Sequence, residues 1–578
     1  MDPEIHLSVV ADPSELGRYH QSQKSSNEGQ RSYLEFEPVT SVLETWSPQD
    51  SLALSPIHSL PVETLANIFW LLAESMSSSF PASLSSRVAS YSWIQVTRVC
   101  RYWRTTALAY SSLWAILDTA QPRFVRTALT RAGSAPLKVI LRDGIYEAYI
   151  AATLEDTLLR AQIAERSDQI EELHIEPRFK YGPGLLEAFY RPAPALRSLI
   201  IKNCHGRQHH ELPRMFDGYT PILARLEIWG FSAWPENMFI NLTHLCLRDQ
   251  PKHLRPPLRT FLDMLAACPL LECLILVDAG PTADEGDPSA DESPRVVPLA
   301  MLRNLDIGHW SSAKLIARFL RCLDLPSTAV VHFWAMPLFP SYEITDIGQL
   351  LPDNLALLLP FHNLHTIVIM PPTKPQGCGM FSEHPDLQAL TVCDGALHML
   401  GDFPVYQTLY PLLCKLDLQY VRIFISYKTR NLDPDKWPAL LSRMPRLSSL
   451  TVVPNSMAAL FALFPTIPDG QDLPLPCPAL QSLTVMEHYE RAGSLWAVLV
   501  LGMAAQGRRL TQLKRIRIIE DIPSTYASQI YWADDLENGQ LEFISTQDHL
   551  DSSEFAPTSW PSEAYKWSLN RRRLAGFR

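Results

Sequence analysis

Short apolar runs with the spacing of β-strands recur along most of this chain. From residue 170 onward the pattern Leu-x-x-Leu-x-Leu occurs twelve times, with isoleucine or valine often in place of leucine. The last two apolar positions point to one face of a strand, and the first enters that face from the preceding turn. The twelve copies begin at Ile170, Leu196, Leu223, Leu242, Leu271, Leu302, Leu364, Leu387, Leu413, Leu447, Leu480 and Leu513.

Helical stripes lie between several copies, at residues 258–267, 313–323, 438–444 and 495–505. One strand and one helix in each unit, joined by a leucine seam, are typical of leucine-rich repeats. Because a single repeat cannot bury its own seam, we expect the units to stack into a parallel sheet with a concave face and outer helices. The concave face is the default site for a target, and strand positions between the seam leucines are expected to line it: Lys202, Glu227, Arg248, Asp306, Asp417, Gln419 and Arg517. The long interval after Leu302 predicts one more strand at Val330–Trp334.

The turns of this α/β repeat are expected to be irregular. A regular leucine-rich repeat carries Asn or Cys three positions after its last leucine, and Cys204 and Asn455 meet this expectation. Phe231 and Asp521 stand at the same position and do not. The predicted solenoid covers residues 119–545, and an acidic insertion, 278–295, interrupts it.

A helical region precedes the repeats. Leu65, Ile68, Phe69 and Leu72 have the spacing of an amphipathic helix, and Pro61 suits its first position. A second stripe runs from Val96 through Val99, Cys100 and Trp103 to Ala107, and Leu113-Trp114 follow. Three helices of this size are marginal as an independent domain, so part of their apolar surface requires the repeats, another chain, or both.

These residues resemble an F-box, particularly that of large fungal F-box families. The matching motifs are Leu60-Pro61-x-Glu63-x-Leu65-x-x-Ile68-Phe69, Val99-Cys100-x-x-Trp103-Arg104-x-x-Ala107 and Leu113-Trp114. The long serine-rich interval 74–92 departs from the family pattern. The resemblance implies that the predicted F-box, residues 55–118, binds a Skp-family adaptor of a cullin-RING ligase. The implied adaptor-binding residues are Leu60, Pro61, Leu65, Ile68, Phe69, Val99, Cys100 and Trp103.

The composition indicates which classes of partner and which cellular compartments to expect. The net charge of −11 disfavours nucleic acid as the main partner, since phosphate binding requires a basic face. The ten cysteines include no Cys-x-x-Cys pair, which argues against a zinc ribbon or a disulfide scaffold. We find neither a secretory signal nor an apolar run long enough to span a membrane, so we expect a cytoplasmic or nuclear protein. Residues 1–50 are expected to be disordered or loosely packed, and residues 546–578 to form a polar tail.

Candidate chemistry is sparse. The sequence contains no Gly-x-Ser-x-Gly, Gly-x-x-x-x-Gly-Lys or His-Glu-x-x-His motif, and the group Cys204, His205, His209 and His210 lacks the paired spacing of a zinc site. We therefore expect no catalytic residues, metal or cofactor. Three tryptophans at or just beyond strands, Trp229, Trp310 and Trp334, are candidate contacts for a target protein.

The sequence thus favours a substrate-recognition subunit of an SCF-type ubiquitin ligase, in which the repeats bind a target protein that the sequence does not identify. One alternative is a scaffolding leucine-rich-repeat protein in which the helices only cap the solenoid. A less favoured alternative is an enzyme whose active site is dispersed along the chain. A structure with convergent, desolvated titratable groups in a pocket would support the last possibility.

Overall fold

The structure is a computed structural model of the 578-residue chain. Residues 1–50, residues 283–294 of the acidic insertion and residues 546–578, on which predictions were made, lie outside the part that it describes. The described residues are 60–78, 89–119, 122–142, 153–176, 184–202, 210–232, 237, 239–282, 295–309, 312–335, 349–370, 388–400, 405–426, 436–452, 477–487, 515–520 and 540–545.

The N-terminal helical block comprises helix α1 (Val62–Ser78), a 3-10 helix (Ala89–Arg98) and helix α2 (Arg101–Ala109). Helix α1 begins directly after Pro61, whose carbonyl accepts a hydrogen bond from Leu65 N at 3.0 Å. The predicted second helix is divided at Cys100, because this residue is extended and caps α2 through its side chain. The single stripe from Val96 to Ala107 therefore covers two elements.

An aromatic cluster joins this block to the sheet. Trp93 packs edge-on against Trp114 at 5.2 Å, and Trp114 stacks on Phe124 of helix α3 (Pro122–Ala132) at 5.7 Å. The Trp114 indole also donates a hydrogen bond to the carbonyl of Ala107 at 2.8 Å. The buried side chains of the block belong to the same core as the repeat leucines. The apolar surface that three small helices cannot bury alone is thus partly covered by the repeats.

The repeats form one large sheet of 17 strands among the described residues. The described strands, including four short ones outside this sheet, are β1 (Ile116–Asp118), β2 (Leu137–Arg142), β3 (Ile170–Glu176), β4 (Ser198–Lys202), β5 (His210–Glu211), β6 (Arg225–Trp229), β7 (Phe231–Ser232), β8 (His244–Arg248), β9 (Cys273–Val277), β10 (Val297–Pro298), β11 (Asn304–Gly308), β12 (Leu323–Asp324), β13 (Val330–Ala335), β14 (Thr366–Met370), β15 (Gln388–Cys393), β16 (Ala396–Leu400), β17 (Ile423–Ser426), β18 (Ser449–Val452), β19 (Ser482–Glu487), β20 (Arg515–Glu520) and β21 (Gln540–Ser545). The spatial order of the large sheet is β1, β2, β3, β4, β6, β8, β9, β11, β13, β15, β16, β14, β17, β18, β19, β20, β21. Two short pairs, β5 with β7 and β10 with β12, lie apart from it.

Seam leucines of successive strands stand in register. Leu199, Leu226, Leu245, Leu274 and Leu305 form one continuous row, and each is buried. Burial of one such side chain contributes about 1.5–3 kcal/mol, so stacking stabilises every unit. The mixed α/β architecture with a large, mainly parallel sheet is consistent with a repeat solenoid, and the additional strand predicted at Val330–Trp334 is confirmed as β13.

The remaining helices are short and lie between strands. Phe261 of helix α6 (Leu258–Ala266) packs against Phe319 of helix α7 (Ala313–Arg321) with ring centroids 5.7 Å apart, within the same core as the seam leucines. The predicted stripe 495–505 lies outside the described residues. The helices are α4 (Thr153–Ala164), α5 (Gly184–Glu187), α6 (Leu258–Ala266), α7 (Ala313–Arg321), α8 (Val405–Lys415) and α9 (Trp437–Ser442), with 3-10 turns at Ser111–Trp114, Ser167–Gln169, Phe216–Gly218, Lys252–Leu254 and Leu359–Phe361.

Two repeats differ from the prediction. Strand β15, predicted from Leu387, runs antiparallel to both neighbours and forms a hairpin with β16, which the sequence pattern did not reveal. The fully parallel sheet that was expected is therefore wrong at this point. The copy at Leu413 is wrong as a strand: Leu413 belongs to α8, and the strand of this repeat is β17. Leu-x-x-Leu also suits one face of a helix, and this explains the error.

Left-handed turns follow four consecutive strands of the sheet. Gly230, Asp249, Asp278 and His309 come directly after β6, β8, β9 and β11, and all four have φ between 46° and 72°. Each N–H donates to a carbonyl of the next strand, for example Asp249 N to Val277 O at 2.8 Å. Gly and Asp are among the residues that adopt this conformation most readily. These turns take the place of the Asn or Cys that was expected further along.

Candidate functional sites

The N-terminal helical block exposes several large apolar side chains. Ile68 is 45% exposed and Val99 is 59% exposed, although both belong to the apolar stripes of the sequence. Leu71 and Val62 of α1 are exposed as well, as is Pro61. Ile68 and Leu71 are neighbours on the helix surface because they are three residues apart. The block therefore exposes large apolar side chains from more than one element, and we call these exposed residues together the helical-block surface: Pro61, Val62, Ile68, Leu71 and Val99.

The other predicted adaptor-binding residues lie beneath or beside this surface. Leu65 and Phe69 are fully buried, and Phe69 packs against the Trp103 indole with ring centroids 5.1 Å apart. Cys100 Sγ accepts a hydrogen bond from Trp103 N at 3.4 Å. Leu60 is half-buried. The contact between Phe69 and Trp103 joins α1 to α2, whereas Pro61, Ile68 and Val99 are available to a partner.

The face of the sheet opposite the leucine seam is polar and aromatic in part, but it is not open. Of the predicted concave residues, Glu227, Arg248 and Asp306 are buried. Asp417 and Gln419, also expected on a strand, lie in the turn after α8. The expectation of a solvent-exposed row at these positions is therefore wrong, and two buried clusters take its place.

The first buried cluster, which we call the Trp229 cluster, contains Lys202, Glu227, Trp229 and Arg248. Lys202 Nζ and Arg248 Cζ each lie 4.9 Å from the centre of the Trp229 ring, one from strand β4 and one from β8. Lys202 Nζ lies 3.8 Å from Glu227 Oε1, a distance that allows an ion pair but is too long for a hydrogen bond. Glu227 Oε1 and Trp229 Nε1 have no hydrogen-bond partner among the described residues.

Burial raises the pKa of the Glu227 carboxyl from 4.5 to about 7, because a charged carboxylate is poorly solvated there. The positive charges of Lys202 and Arg248 act in the opposite direction but do not cancel the effect. The dipole of the nearby Trp229 N–H also favours the charged carboxylate and lowers this pKa, although the two groups do not meet the geometry of a hydrogen bond. Glu227 therefore changes its charge near neutral pH, unlike an ordinary glutamate.

The second buried cluster, the Trp334 cluster, is closely fitted around one indole. Trp334 Nε1 donates to Asp306 Oδ1 at 2.6 Å, and the His309 ring packs edge-on against Trp334 at 4.7 Å. His332 Nδ1 lies 3.7 Å from Asp306 Oδ2. The indole lies across Gly308, where a Cβ would come within 2.5 Å of two ring atoms. Trp334 is thus committed to internal contacts, and its position does not favour the predicted role in target binding.

Several further predictions concern residues that the structure does not describe. Trp310, the third candidate target contact, and Cys204, His205 and His209 are among them. In the described part of the chain, no group of three His, Cys, Asp or Glu side chains is placed to hold a metal ion. No helix among the described residues is both long and apolar enough to cross a membrane.

Comparisons with known proteins give little. No family model matches the chain, and no curated protein matches it. A chain in the crystal structure of the Rad7 and Elc1 complex from yeast aligns over 84% of this chain and 94% of its own length, with 12% identity and a TM-score of 0.19. A similarity of this size does not demonstrate a common fold.

Glu227 is the residue of the Trp229 cluster that sequence reasoning assigned to the wrong environment. The sequence pattern correctly places Glu227 between the seam residues Leu226 and Ile228. Stacking of the strands also brings it beside the strands of Lys202 and Arg248, as the pattern predicts. The period-two pattern places a residue on one face of a strand, but it does not reveal whether that face is covered.

Proposed function

We propose that this chain is a non-catalytic substrate-recognition subunit of an SCF-type cullin-RING ubiquitin ligase. The helical block, with its resemblance to an F-box, binds a Skp-family adaptor, and the repeat sheet binds the target protein. The ligase then transfers ubiquitin to a target that is held close to it, so the chain contributes proximity and no reacting group.

The observation that carries this proposal is the exposure of Ile68 and Val99. Both belong to the motifs that resemble an F-box, and both remain on the surface although the block shares a core with the repeats. An apolar residue in a sequence motif that the fold leaves uncovered suits a protein contact. Leu65 and Phe69 of the same motif are buried and support the surface from below.

Co-purification of the full-length chain with a Skp-family adaptor tests the proposal. Ile68→Glu and Val99→Glu place a charge on the helical-block surface without removing a buried side chain. Loss of one buried apolar contact of this size costs about 1.5–3 kcal/mol, so we expect adaptor affinity to fall at least about tenfold in each variant. Leu65→Ala is unsuitable for this purpose, since the fully buried Leu65 also stabilises the block.

The matched control is Leu270→Glu, because Leu270 is 54% exposed and lies on the repeats instead of the block. This variant is expected to bind the adaptor as the unmodified chain does. Equal adaptor binding by all four proteins would place the contact elsewhere. A folded chain that binds no Skp-family adaptor would instead support a scaffolding role with the helices as a cap.

A further inference from the structure

The Trp229 cluster places two buried polar atoms without hydrogen bonds on neighbouring side chains of one strand. Glu227 Oε1 is a hydrogen-bond acceptor and Trp229 Nε1 a donor, and both are buried without a hydrogen-bond partner among the described residues. Buried polar groups are normally paired, since an unmade hydrogen bond costs free energy. The two residues are two positions apart on β6 and face the same side of the sheet. An acceptor and a donor therefore lie side by side.

The neighbouring side chains hold this pair in place. Lys202 and Arg248 flank the indole from the strands on either side, and cation–π contacts of this kind fix the ring. The Lys202 ammonium group lies beside both Glu227 Oε1 and the Trp229 ring. Its side chain keeps 12% of its surface exposed, so it is the member of the cluster that reaches solvent. A flexible four-carbon chain can move aside at little cost.

We propose that Glu227 and Trp229 form a binding site for the primary amide group of an asparagine or glutamine side chain of a target. The amide oxygen accepts a hydrogen bond from Trp229 Nε1, and the amide N–H on the same side donates to Glu227 Oε1, after Lys202 has moved from its place beside them. A backbone amide is excluded, because its C=O and N–H point in opposite directions. A neutral primary amide satisfies both buried atoms and adds no charge to the site. This inference deepens the proposed function and rests on it, since it names the chemistry by which the repeats would hold part of a target.

A carboxylate is the competing ligand chemistry, and the structure disfavours it. A carboxylate could accept from Trp229 Nε1 and lie near Lys202, but it would meet the oxygen of Glu227. It would bind well only once Glu227 carries a proton. The other titratable groups that interact with Glu227 come from two strands: Glu176 on β3 and Cys246 on β8. Burial raises the pKa of the Cys246 thiol, which keeps it neutral.

The two chemistries differ in their dependence on pH. Burial holds the pKa of Glu227 at about 7, so its carboxylate is largely formed above neutral pH. An amide N–H is bound better by a carboxylate than by a protonated carboxyl, so amide binding strengthens as pH rises from about 6 to about 8. Carboxylate binding changes in the opposite direction.

Indole N–H resonances of the full-length chain provide the test, with acetamide, a primary amide, and acetate as the two probes. The signals of Trp229 and Trp334 are assigned among the 14 tryptophans from Trp229→Phe and Trp334→Phe. We expect acetamide to shift the Trp229 signal, with a stronger response at about pH 8 than at about pH 6. Trp334 is the internal control because its N–H is already bonded to Asp306, and its signal is expected to stay in place.

Two variants of Glu227 sharpen the result. Glu227→Leu removes the acceptor and is expected to weaken the response of Trp229 about tenfold. Glu227→Gln keeps an acceptor oxygen and is expected to retain a response that no longer depends on pH. An unchanged Trp334 signal shows in each case that the sheet is folded.

Three outcomes overturn the inference: a stronger response to acetate than to acetamide, equal responses of Trp229 and Trp334, or no response to either probe. None of these measurements involves the helical block or the adaptor. Failure at this site is therefore distinguishable from failure of the proposed ligase function.

Discussion

Trp229 and Trp334 occupy the same register row of the sheet, on β6 and β13, and both are buried. Their surroundings differ. The Trp334 N–H is bonded to Asp306, and Gly308 makes room for the ring. The Trp229 ring lies between two cations, and its N–H has no acceptor among the described residues. One row of a repeat sheet thus contains a finished structural contact and a polar pair whose hydrogen bonds are incomplete.

The comparison teaches that burial alone does not separate core aromatics from functional ones. Both indoles are buried, and only their hydrogen bonds and the neighbouring charges distinguish them. If this distinction is real, changes in the Trp334 cluster should chiefly affect stability. Changes in the Trp229 cluster should chiefly affect ligand response and pH dependence.

The largest expected effect concerns Glu227 and pH. Its pKa is about 7 in the folded chain and 4.5 as the reference value for the unfolded chain, so between these values the folded state holds the proton more tightly. The free energy of unfolding therefore falls as pH rises from 4.5 to 7, by up to about 3 kcal/mol. Glu227→Gln should lack this loss, and its advantage over the unmodified chain should grow across the same window in denaturant titrations. Parallel stability curves for the two proteins would contradict the assignment.

Gly308→Ala is expected to destabilise the Trp334 cluster strongly. The added Cβ would meet the indole at 2.5 Å, and forced overpacking of this kind costs about 1–3 kcal/mol. The control is Gly133→Ala, where nothing lies within 4 Å of the added atom and only the positive φ of 58° is strained. Thermal unfolding should show the larger shift for Gly308→Ala. A larger shift for Gly133→Ala would mean that the Trp334 indole moves away from the added Cβ at little cost.

Replacing each indole by a phenyl ring compares the two clusters directly. Trp334→Phe removes the donor to the Asp306 carboxylate, whereas Trp229→Phe breaks no hydrogen bond among the described residues. A hydrogen bond to a charged group contributes about 1.5–3 kcal/mol, so Trp334→Phe should be less stable than Trp229→Phe by roughly that amount. Equal stability of the two variants would remove the main difference drawn between the clusters.

The smallest effect is expected from Lys202→Met. This variant keeps most of the side-chain stem and removes the cation beside Trp229, at a cost of about 0.5–1 kcal/mol. Stability is best compared at about pH 5, where the Glu227 carboxyl is protonated and the ion pair no longer contributes. A cost well above this range would show that Lys202 is a fixed part of the cluster and not its movable member.

The repeat seam could be predicted because it depends on local spacing. Rows such as Leu226, Leu245 and Leu274 combine a period of two with a leucine in the preceding turn, and few other structures need both. The hidden strand at Val330–Trp334 followed from the same logic. The strand predicted at Leu413 is wrong because the spacing from Leu413 to Leu416 also fits one face of a helix. Tertiary packing determines whether such a segment forms a strand or a helix.

The direction of β15 and the closure of the polar face depend on distant parts of the chain. Alternation at Leu390 and Val392 predicts a strand, but not the direction in which it runs. The helical block shows the opposite difficulty. Its stripes correctly indicate amphipathic elements, yet nothing in their spacing distinguishes the buried Phe69 from the exposed Ile68 beside it.

The hairpin of β15 and β16 affects how the repeats unfold. In a stack of repeats, each unit is held mainly by its immediate neighbours, so cooperativity passes from one unit to the next. Here the strands from β1 to β13 connect to β14 and the later strands through this hairpin alone within the described sheet. The hairpin thus joins two arrays of strands. Its residues 388–400 would decide whether the two arrays unfold in a single step or in succession.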